Sequence, residues 1–258
     1  MEQIDIPASF AGSGDVTGKR VVITGGGRGL GRLLAHAFSQ GGARVTLVAR
    51  TETDLKAVAA ELPGPSLVVS GDVTDDAFND VVADATLAEW GGVDVWICNA
   101  GISPILAGPL RTNPSVWREI LEVNLTGAFL GARAAARVMR DCGRLIFTGS
   151  VLGERPREGL AAYSASKAGL VGLAKGLALD LAPSGITVNV VAPGWFDSPL
   201  AERWKNSPDL EAGVLGHTAQ RRWGASTDLA GAYLFLASDA SAFVTGTVLN
   251  VDGGYLLV

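Results

Sequence analysis

Residues 19–38 read KRVVITGGGRGLGRLLAHAF, and this stretch decides the expected fold. Val21–Thr24 is short, apolar and β-branched, which is typical of a buried strand. A glycine-rich turn, Gly25–Gly31, follows directly, and apolar residues then recur at helical spacing: Leu30, Leu33, Leu34, Ala37 and Phe38. Because a strand, a glycine turn and a helix in this order direct backbone N–H groups at phosphate oxygens, the stretch predicts a phosphate-binding turn.

The glycines follow the pattern Gly25-x-x-x-Gly29-x-Gly31 rather than Gly-x-Gly-x-x-Gly. The phosphate-loop ending Gly-Lys-Ser/Thr is also absent. A glycine-rich turn without a ligand is therefore the alternative interpretation.

Strand-like and helix-like segments alternate along the chain. Predicted strands are Val21–Thr24, Arg44–Val48, Ser66–Ser70, Val93–Cys98, Arg144–Thr148, Thr187–Val191 and Thr247–Val251. Predicted helices include Leu55–Leu62, Ala77–Trp90, Ser115–Arg140, Ala161–Leu181 and Asp228–Leu236. This alternation predicts an α/β fold, a Rossmann-like, doubly wound, seven-stranded parallel sheet. We expect a loosely packed N-terminal arm at 1–18, one dinucleotide-binding domain at 19–258, and a substrate lid at about 197–222.

Tyr163 and Lys167 stand four residues apart on a predicted helix, so their side chains share one face. An ammonium beside a phenol favours the phenolate, which predicts a lowered pKa for Tyr163 and a role as general acid/base. A chance pair on a helix surface is the alternative.

Composition excludes several classes of protein. The 48% hydrophobic and 18% charged content is that of a globular chain, and the net charge of −5 argues against a nucleic-acid partner. Cys98, Cys142, His36 and His217 form no metal-binding pattern, and Cys98 is expected to be a small buried hydrophobe. Neither a secretory signal nor a membrane-spanning stretch is predicted, so we expect a cytoplasmic protein without a membrane partner.

A series of motifs spans nearly the whole chain. It consists of Thr24-Gly25-x-x-x-Gly29-Leu30-Gly31, Asp72-Val73, Asn99-Ala100-Gly101, Asn124, Ser150, Tyr163 with Lys167, Pro193-Gly194 with Ser198, and Val251-Asp252-Gly253-Gly254. In this order the motifs resemble the compact, single-domain form of the short-chain dehydrogenase/reductase family. Cys98 and Phe196 depart from the family pattern, which has asparagine and a smaller aliphatic residue at these places.

The resemblance implies four catalytic residues, Asn124, Ser150, Tyr163 and Lys167. Of these, Ser150 and Tyr163 are also expected to contact the substrate. With the charge pattern described next, it implies the cofactor contacts Gly25, Gly27, Arg28, Gly29, Leu30, Gly31, Arg50, Asp72, Val73, Asn99, Ala100, Gly101, Tyr163, Lys167, Pro193, Gly194, Phe196 and Ser198.

The roles of the catalytic residues follow from the same resemblance. Tyr163 donates a proton to the carbonyl oxygen and Ser150 orients that oxygen. Lys167 lowers the pKa of the tyrosine and holds the nicotinamide ribose, and Asn124 positions a water that reloads the proton. Asp72, Asn99, Asn124 and Ser150 could each instead be ordinary turn or cap residues.

The cofactor preference is predicted from the end of the second strand, Leu47–Thr51. The carboxylate that would bind the ribose 2′-hydroxyl of NAD is missing at Ala49, and Arg50 follows. Arg28 is a second candidate ligand for the 2′-phosphate of NADP. We therefore expect NADP(H) to be preferred and NAD(H) to be possible, with Glu52 near enough to leave NAD open.

Three function classes remain. The first is an NADP(H)-dependent oxidoreductase that interconverts a ketone or aldehyde and an alcohol. The second is a 3-oxoacyl-thioester reductase or an NAD-linked polyol or steroid dehydrogenase, and the third is a dinucleotide sensor without turnover. An intact catalytic group argues against the sensor.

The loops around the expected site give little on the substrate. Trp195, Trp204 and Trp223 are expected first as packing residues, but three tryptophans near a pocket mouth also favour an apolar or aromatic substrate. The loop cations are nearly balanced by acids, so no anionic substrate is implied: Arg155, Arg157, Arg203, Lys205, Arg221 and Arg222 against Glu154, Glu158, Asp197, Glu202, Asp209 and Glu211.

Assembly is predicted from two long helices, Ser115–Arg140 and Ala161–Leu181. Their small and apolar residues extend around more than one face, and a second apolar face needs a partner. In the family these helices pair across a two-fold axis, which predicts a homotetramer or, failing that, a homodimer.

Overall fold

The computed structural model describes residues 14–139, 142–198 and 201–258. In this part of the chain seven strands form one parallel sheet, in the order β3-β2-β1-β4-β5-β6-β7. The strands are β1 (Arg20–Thr24), β2 (Arg44–Ala49), β3 (Ser66–Ser70), β4 (Val95–Cys98), β5 (Arg144–Thr148), β6 (Thr187–Pro193) and β7 (Val248–Val251). The predicted α/β fold is confirmed.

Helices cover both faces of the sheet. They are α1 (Gly29–Gln40), α2 (Glu52–Glu61), α3 (Asp76–Trp90), α4 (Pro114–Leu121), α5 (Gly127–Val138), α6 (Ala161–Leu181), α7 (Glu202–Lys205), α8 (Pro208–Gly216) and α9 (Ser226–Ala237). The strand order reverses between β1 and β4, which opens a crevice at their carboxyl ends.

Two apolar layers form the core. One lies under α1 and α9 and contains Phe38 and Tyr233, and the other lies under α3, α5 and α6 and contains Trp96 and Phe147. These large side chains are fully buried. Removing so much apolar surface from water is the main force that holds the helices on the sheet.

The predicted helix Ser115–Arg140 is wrong as a single α-helix. The structure has α4, a wide π turn over Glu122–Thr126, and then α5. The extra residue in the π turn is stabilised by contacts with a distant loop, described below, so helical periodicity in the sequence gives no sign of it. Arg140, at the predicted end, lies outside the described residues.

Two predicted segments fall partly outside the described residues. Of the arm at 1–18 the structure describes 14–18, where Val16 is 1% exposed and packs into the core, whereas Asp15, Thr17 and Gly18 are exposed. Of the lid at 197–222 it describes all but 199–200, with α7 and α8 inside it. No helix among the described residues is long and apolar enough to cross a membrane.

Candidate active site

The glycine turn between β1 and α1 has a shape that requires glycine. Gly25 and Gly29 have φ angles of 70° and 53°, in the left-handed region. A Cβ on Gly31 would lie 2.0 Å from the carbonyl oxygen of Gly25, so no side chain fits there. Arg28, the N-cap of α1, makes no side-chain cap hydrogen bond, which leaves the first N–H groups available to an anion. The turn, with Gly27 and Leu30 in it, fits the phosphates of a dinucleotide.

Two arginines beside this turn are exposed cations without a partner. Within the described ranges, neither the side chain of Arg28 nor that of Arg50 makes a hydrogen bond or an ion pair. Glu52, the acid that left NAD open, is paired with Lys56 at 2.7 Å along α2. The two arginines near the end of β2 are therefore available to bind an added negative charge.

The other predicted cofactor residues follow the carboxyl ends of β3, β4 and β6. They are Asp72 and Val73, then Asn99, Ala100 and Gly101, then Pro193, Gly194, Phe196 and Ser198. Asp72 accepts hydrogen bonds from N and Oγ1 of Thr74 at 3.0 and 2.9 Å, so the turn role considered for it is present. Phe196 is 6% exposed and packs into the core. Cofactor contact by these residues stays a prediction.

A hydrogen-bonded network behind the crevice joins β1, β4, β5 and α9. Asn99 donates through Nδ2 to the carbonyl of Thr24 at 2.9 Å and accepts from Oγ1 of Thr148 at 3.3 Å. Thr148 is in turn 2.8 Å from the hydroxyl of Tyr233, which is fully buried. Tyr233 and Thr148 were not predicted, because a buried aromatic on a helix carries no signal of its hydroxyl contact.

Tyr163 and Lys167 lie together on α6, as predicted. Lys167 Nζ is 5.7 Å from the centre of the Tyr163 ring and donates to the carbonyl of Thr148 at 2.7 Å. Lys167 is only 4% exposed, whereas Tyr163 keeps part of its surface open. The lysine therefore lies in the interior, and the phenol is the more accessible member of the pair.

The predicted lowering of the Tyr163 pKa is wrong for this structure. Burial raises the pKa of the phenol, and the neighbouring Ser150 hydroxyl lowers it only in part. Burial also lowers the pKa of Lys167 to about 8, since an ammonium loses its hydration there. Helical spacing gives the contact between the two residues, but burial determines the direction in which each one titrates.

Ser150 follows β5 and begins a short 3₁₀ turn, Val151–Gly153. Its Oγ accepts a hydrogen bond from the N–H of Leu152 at 3.1 Å. The cap role considered for Ser150 is thus present, but it uses only an acceptor site. The hydroxyl proton remains available for donation, either to the neighbouring Tyr163 phenol oxygen or to a substrate oxygen.

Asn124 lies in the π turn and is 1% exposed. Its Oδ1 accepts from the N–H of Ile102 at 2.8 Å, and its Nδ2 donates to the carbonyl of Ile102 and to Ser166 Oγ, both at 3.0 Å. Because both amide protons are used, the side chain holds the 102 loop, and only its oxygen can still accept from a water.

Ser166 is a residue that sequence reasoning missed. It is fully buried, and its hydroxyl donates to the carbonyl of Tyr163 at 2.6 Å while accepting from Asn124. One hydroxyl therefore links the π turn to the backbone of the expected acid/base. Its place immediately before Lys167 is the only signal that could have drawn attention to it.

Aromatic side chains form a wall beside Tyr163. Trp195 packs edge-on against Trp204 and Trp223, with ring centres 4.9 and 6.1 Å apart. Tyr163 and Tyr255 belong to the same apolar cluster. The three tryptophans thus pack on one another, which is the packing role considered for them, and the wall they form lies beside Tyr163.

The described residues contain no group of histidine, cysteine or acidic side chains that could hold a metal ion. Cys98 is 5% exposed, and burial raises the pKa of its thiol to about 12, as expected for a small buried hydrophobe.

The glycine turn and the Tyr163–Lys167 pair lie at the carboxyl ends of the parallel strands, where a sheet of this kind binds its ligands, and comparisons with known proteins identify the family. Residues 25–256 match a family model described as enoyl-(acyl carrier protein) reductase. The chain is 38% identical over 245 residues to the 3-oxoacyl-(acyl-carrier-protein) reductase FabG of Salmonella typhimurium. This alignment covers 93% of the chain and 98% of that relative. It is 37% identical over 252 residues to 3beta-hydroxysteroid dehydrogenase 1 of Eggerthella lenta, with 94% and 95% covered.

Among solved structures, a putative NAD(P) dependent gluconate 5-dehydrogenase of Beutenbergia cavernae with bound NADP has a TM-score of 0.90 at 35% identity. The match covers 96% of this chain and 100% of that one. The chain belongs to the short-chain dehydrogenase/reductase family and is an oxidoreductase acting on a CH–OH or carbonyl group of a small molecule.

Proposed function

We propose that the protein is an NADP(H)-dependent carbonyl reductase that also runs in the direction of alcohol oxidation. The observation that carries the proposal is the meeting of Tyr163, Lys167 and Ser150 at the end of β5. There the Lys167 ammonium is fixed 2.7 Å from the Thr148 carbonyl and lies beside the phenol. A bound reduced nicotinamide supplies the hydride that the carbonyl carbon accepts.

In this proposal Tyr163 protonates the carbonyl oxygen as negative charge develops on it. A phenol whose pKa is raised by burial keeps its proton at neutral pH and can deliver it to the more basic alkoxide. Ser150 donates its hydroxyl proton in a hydrogen bond to the same oxygen. Both donors are positioned before the reaction, which is the usual source of electrostatic stabilisation.

Lys167 supports Tyr163 from the interior. Once the phenol has released its proton, the nearby ammonium stabilises the phenolate, and its low dielectric surroundings strengthen that attraction. Asn124 and Ser166 hold the helix and the 102 loop in register, and a water at the remaining acceptor of Asn124 returns the proton.

We assign NADP(H) as the preferred cofactor because Arg28 and Arg50 lie near the end of β2 with side chains that have no partner among the described residues, and because Glu52 is paired with Lys56. NAD(H) lacks the 2′-phosphate that they would bind. The glycine turn of α1 and the residues after β3, β4 and β6 would hold the rest of the dinucleotide.

We also propose the predicted closed assembly, a homotetramer or a homodimer. On α6, a Cβ added to Gly172 or Gly176 would point into open space, with no neighbouring atom within 4 Å, and Leu179 is 79% exposed. On α5, Phe129 is 42% exposed. A second copy would cover these faces.

The single-domain division at residue 19 and a cytoplasmic location remain part of the proposal. Limited proteolysis tests the division, and cell fractionation tests the location.

A 3-oxoacyl-thioester reductase is the second candidate, favoured by the similarity to FabG over nearly the whole chain. NADPH oxidation should be measured across ketones, acyl thioesters and quinones, with NADH in parallel. We expect turnover of ketones with NADPH. Turnover confined to acyl thioesters would select the second candidate, and no turnover of any carbonyl would contradict both.

A further inference from the structure

Arg157 lies inside the aromatic wall beside Tyr163. The carbon centre of its guanidinium is 4.9 Å from the ring centre of Trp204 and 5.7 Å from that of Trp195. Its Nη2 lies 3.4 Å from the position that a Cβ on Gly213 of α8 would take. The partly exposed cation therefore lies against two indole rings and α8, and Trp195 and Trp204 belong to the same apolar cluster as Tyr163.

Two hydrogen-bond donors in this wall are buried without a partner. They are Nη1 of Arg157 and Nε1 of Trp195. The neighbouring indole of Trp223 is different, because its Nε1 donates to Glu211 at 2.8 Å. Arg155, two residues before Arg157, also has a partner, the carbonyl of Tyr255 at 2.9 Å. The missing partners are thus specific to Arg157 and Trp195.

The balance of charges in the sequence does not hold in space. Lys205 pairs with Asp197 at 2.6 Å, and Arg222 pairs with Asp228. Of the described side chains, none forms an ion pair with Arg157, and this includes the adjacent acids Glu154 and Glu158. Arg157 is therefore a cation beside the aromatic wall that no acid neutralises by direct contact, which counting charges along the sequence does not reveal.

Unpaired buried donors destabilise a fold, and an unpaired guanidinium does so more than a neutral group. Such groups in a folded protein call for an explanation, and a ligand that pairs them is one. The two donors belong to neighbouring side chains, with 5.7 Å between the guanidinium carbon and the indole ring centre. A carboxylate has two oxygens that could pair with them, and it forms its strongest hydrogen bonds with arginine.

We propose that the substrate carries an anionic group, a carboxylate, bound by Arg157 and Trp195, with an apolar portion between it and the reacting carbonyl. The apolar portion lies against Leu152, Leu160 and the indoles, and Tyr163 meets the carbonyl. This assignment rests on the proposed function, which it narrows to carbonyl compounds that are also acids. Because the indoles of Trp195 and Trp204 lie against Arg157, a carboxylate that binds there shifts these indoles and changes their surroundings.

Binding of unreactive probes tests the assignment without turnover. Benzoate and hexanoate are compared with benzamide and hexanamide, using the tryptophan fluorescence of the NADP-loaded protein. We expect the dissociation constant of each acid to be at least about tenfold below that of its amide. Arg157→Gln should remove the difference, and Arg155→Gln, the matched control from the same loop, should keep it. Arg157→Lys keeps the charge and should retain part of the difference.

Each result has a definite meaning. Equal affinity of acid and amide for the wild-type protein contradicts the proposal, as does an acid preference that survives in Arg157→Gln. If Arg157→Gln does not fold, as judged by circular dichroism and NADP binding, Arg157→Lys decides. An Arg157→Lys protein that binds the amides tenfold less tightly but keeps the full preference for the acids counts against the proposal. An acid preference in a protein that reduces no carbonyl would uphold the anion site and overturn only the proposed reaction.

Discussion

Lys167 carries its charge in the interior, where one carbonyl oxygen replaces much of its hydration. Burial lowers its pKa to about 8, and the same surroundings raise the pKa of Tyr163. The sequence predicted that these two residues meet, because helical spacing is local. It did not predict their titration, because burial depends on elements that lie far apart in the chain.

The lowered pKa of Lys167 predicts a specific pH dependence of stability. Below pH 8 the lysine is charged in both states, so folding bears the full penalty of burying the charge. As pH rises from 8 towards 10.5, the unfolded chain binds more protons and the wild-type protein gains stability. Relative to Lys167→Met, its unfolding free energy should rise by about 1.4 kcal/mol per pH unit in this window.

Denaturant unfolding at several pH values measures this difference. Lys175→Met, on the exposed side of the same helix, should follow the wild-type protein throughout. A constant difference between wild type and Lys167→Met from pH 7 to 10.5 would contradict the burial of a charged lysine.

Arg50 gives a second prediction at the scale of the residue. A charge-assisted hydrogen bond contributes about 1.5–3 kcal/mol, so Arg50→Ala should raise the dissociation constant of NADPH by roughly 10- to 150-fold. The constant for NADH should not change, since NADH lacks the 2′-phosphate. Arg44→Ala, at the opposite end of β2, is the control. Equal losses for the two cofactors, or tighter binding of NADH by the wild type, would overturn the NADP(H) assignment.

Among the elements, the π turn at Glu122–Thr126 most directly shapes the site. It places the Asn124 side chain between Ile102 and Ser166, where it ties α6 to the 102 loop. Periodicity predicted strands and helices well because each covers the sheet with one apolar face. It missed the π turn because that irregularity is stabilised by contacts between residues 22 and 42 positions apart.

Two serines of α6 form a matched pair for testing this link. Ser166→Ala should lower kcat and destabilise the protein by about 1–3 kcal/mol, because Asn124 loses a buried partner. Ser164 is also buried, but its hydroxyl has no partner, so Ser164→Ala should be neutral or slightly stabilising. Urea unfolding and steady-state kinetics measure both effects. Equal behaviour of the two variants would show that the bond to Asn124 is unimportant.

At the scale of the whole molecule, the fold was predictable because many motifs fall in one order along one chain. The spatial pairing of charges was not predictable, and Arg157 shows why: its neighbours Glu154 and Glu158 are near in sequence but form no ion pair with it. The network from Thr24 to Tyr233 likewise joins four elements that only the folded sheet brings together.

The proposed assembly gives a prediction at this scale. Gly172→Glu adds a charge to the open face of α6, where the monomer has room for it, so the fold should persist while association is lost. Ala60→Glu, on the exposed side of α2, should leave association unchanged. Light scattering at micromolar concentration measures the mass. A fully active wild-type species of 26.5 kDa would rule the assembly out.

The central claim, that Tyr163 donates the proton in a nicotinamide-dependent carbonyl reduction, is tested most directly by Tyr163→Phe. The substrate is the best ketone from the NADPH panel, and NADPH binding is measured first by titration. We predict unchanged NADPH affinity and a fall in kcat of roughly 10²–10⁴-fold, the range that general acid catalysis contributes. Near-normal turnover by this variant would contradict the account.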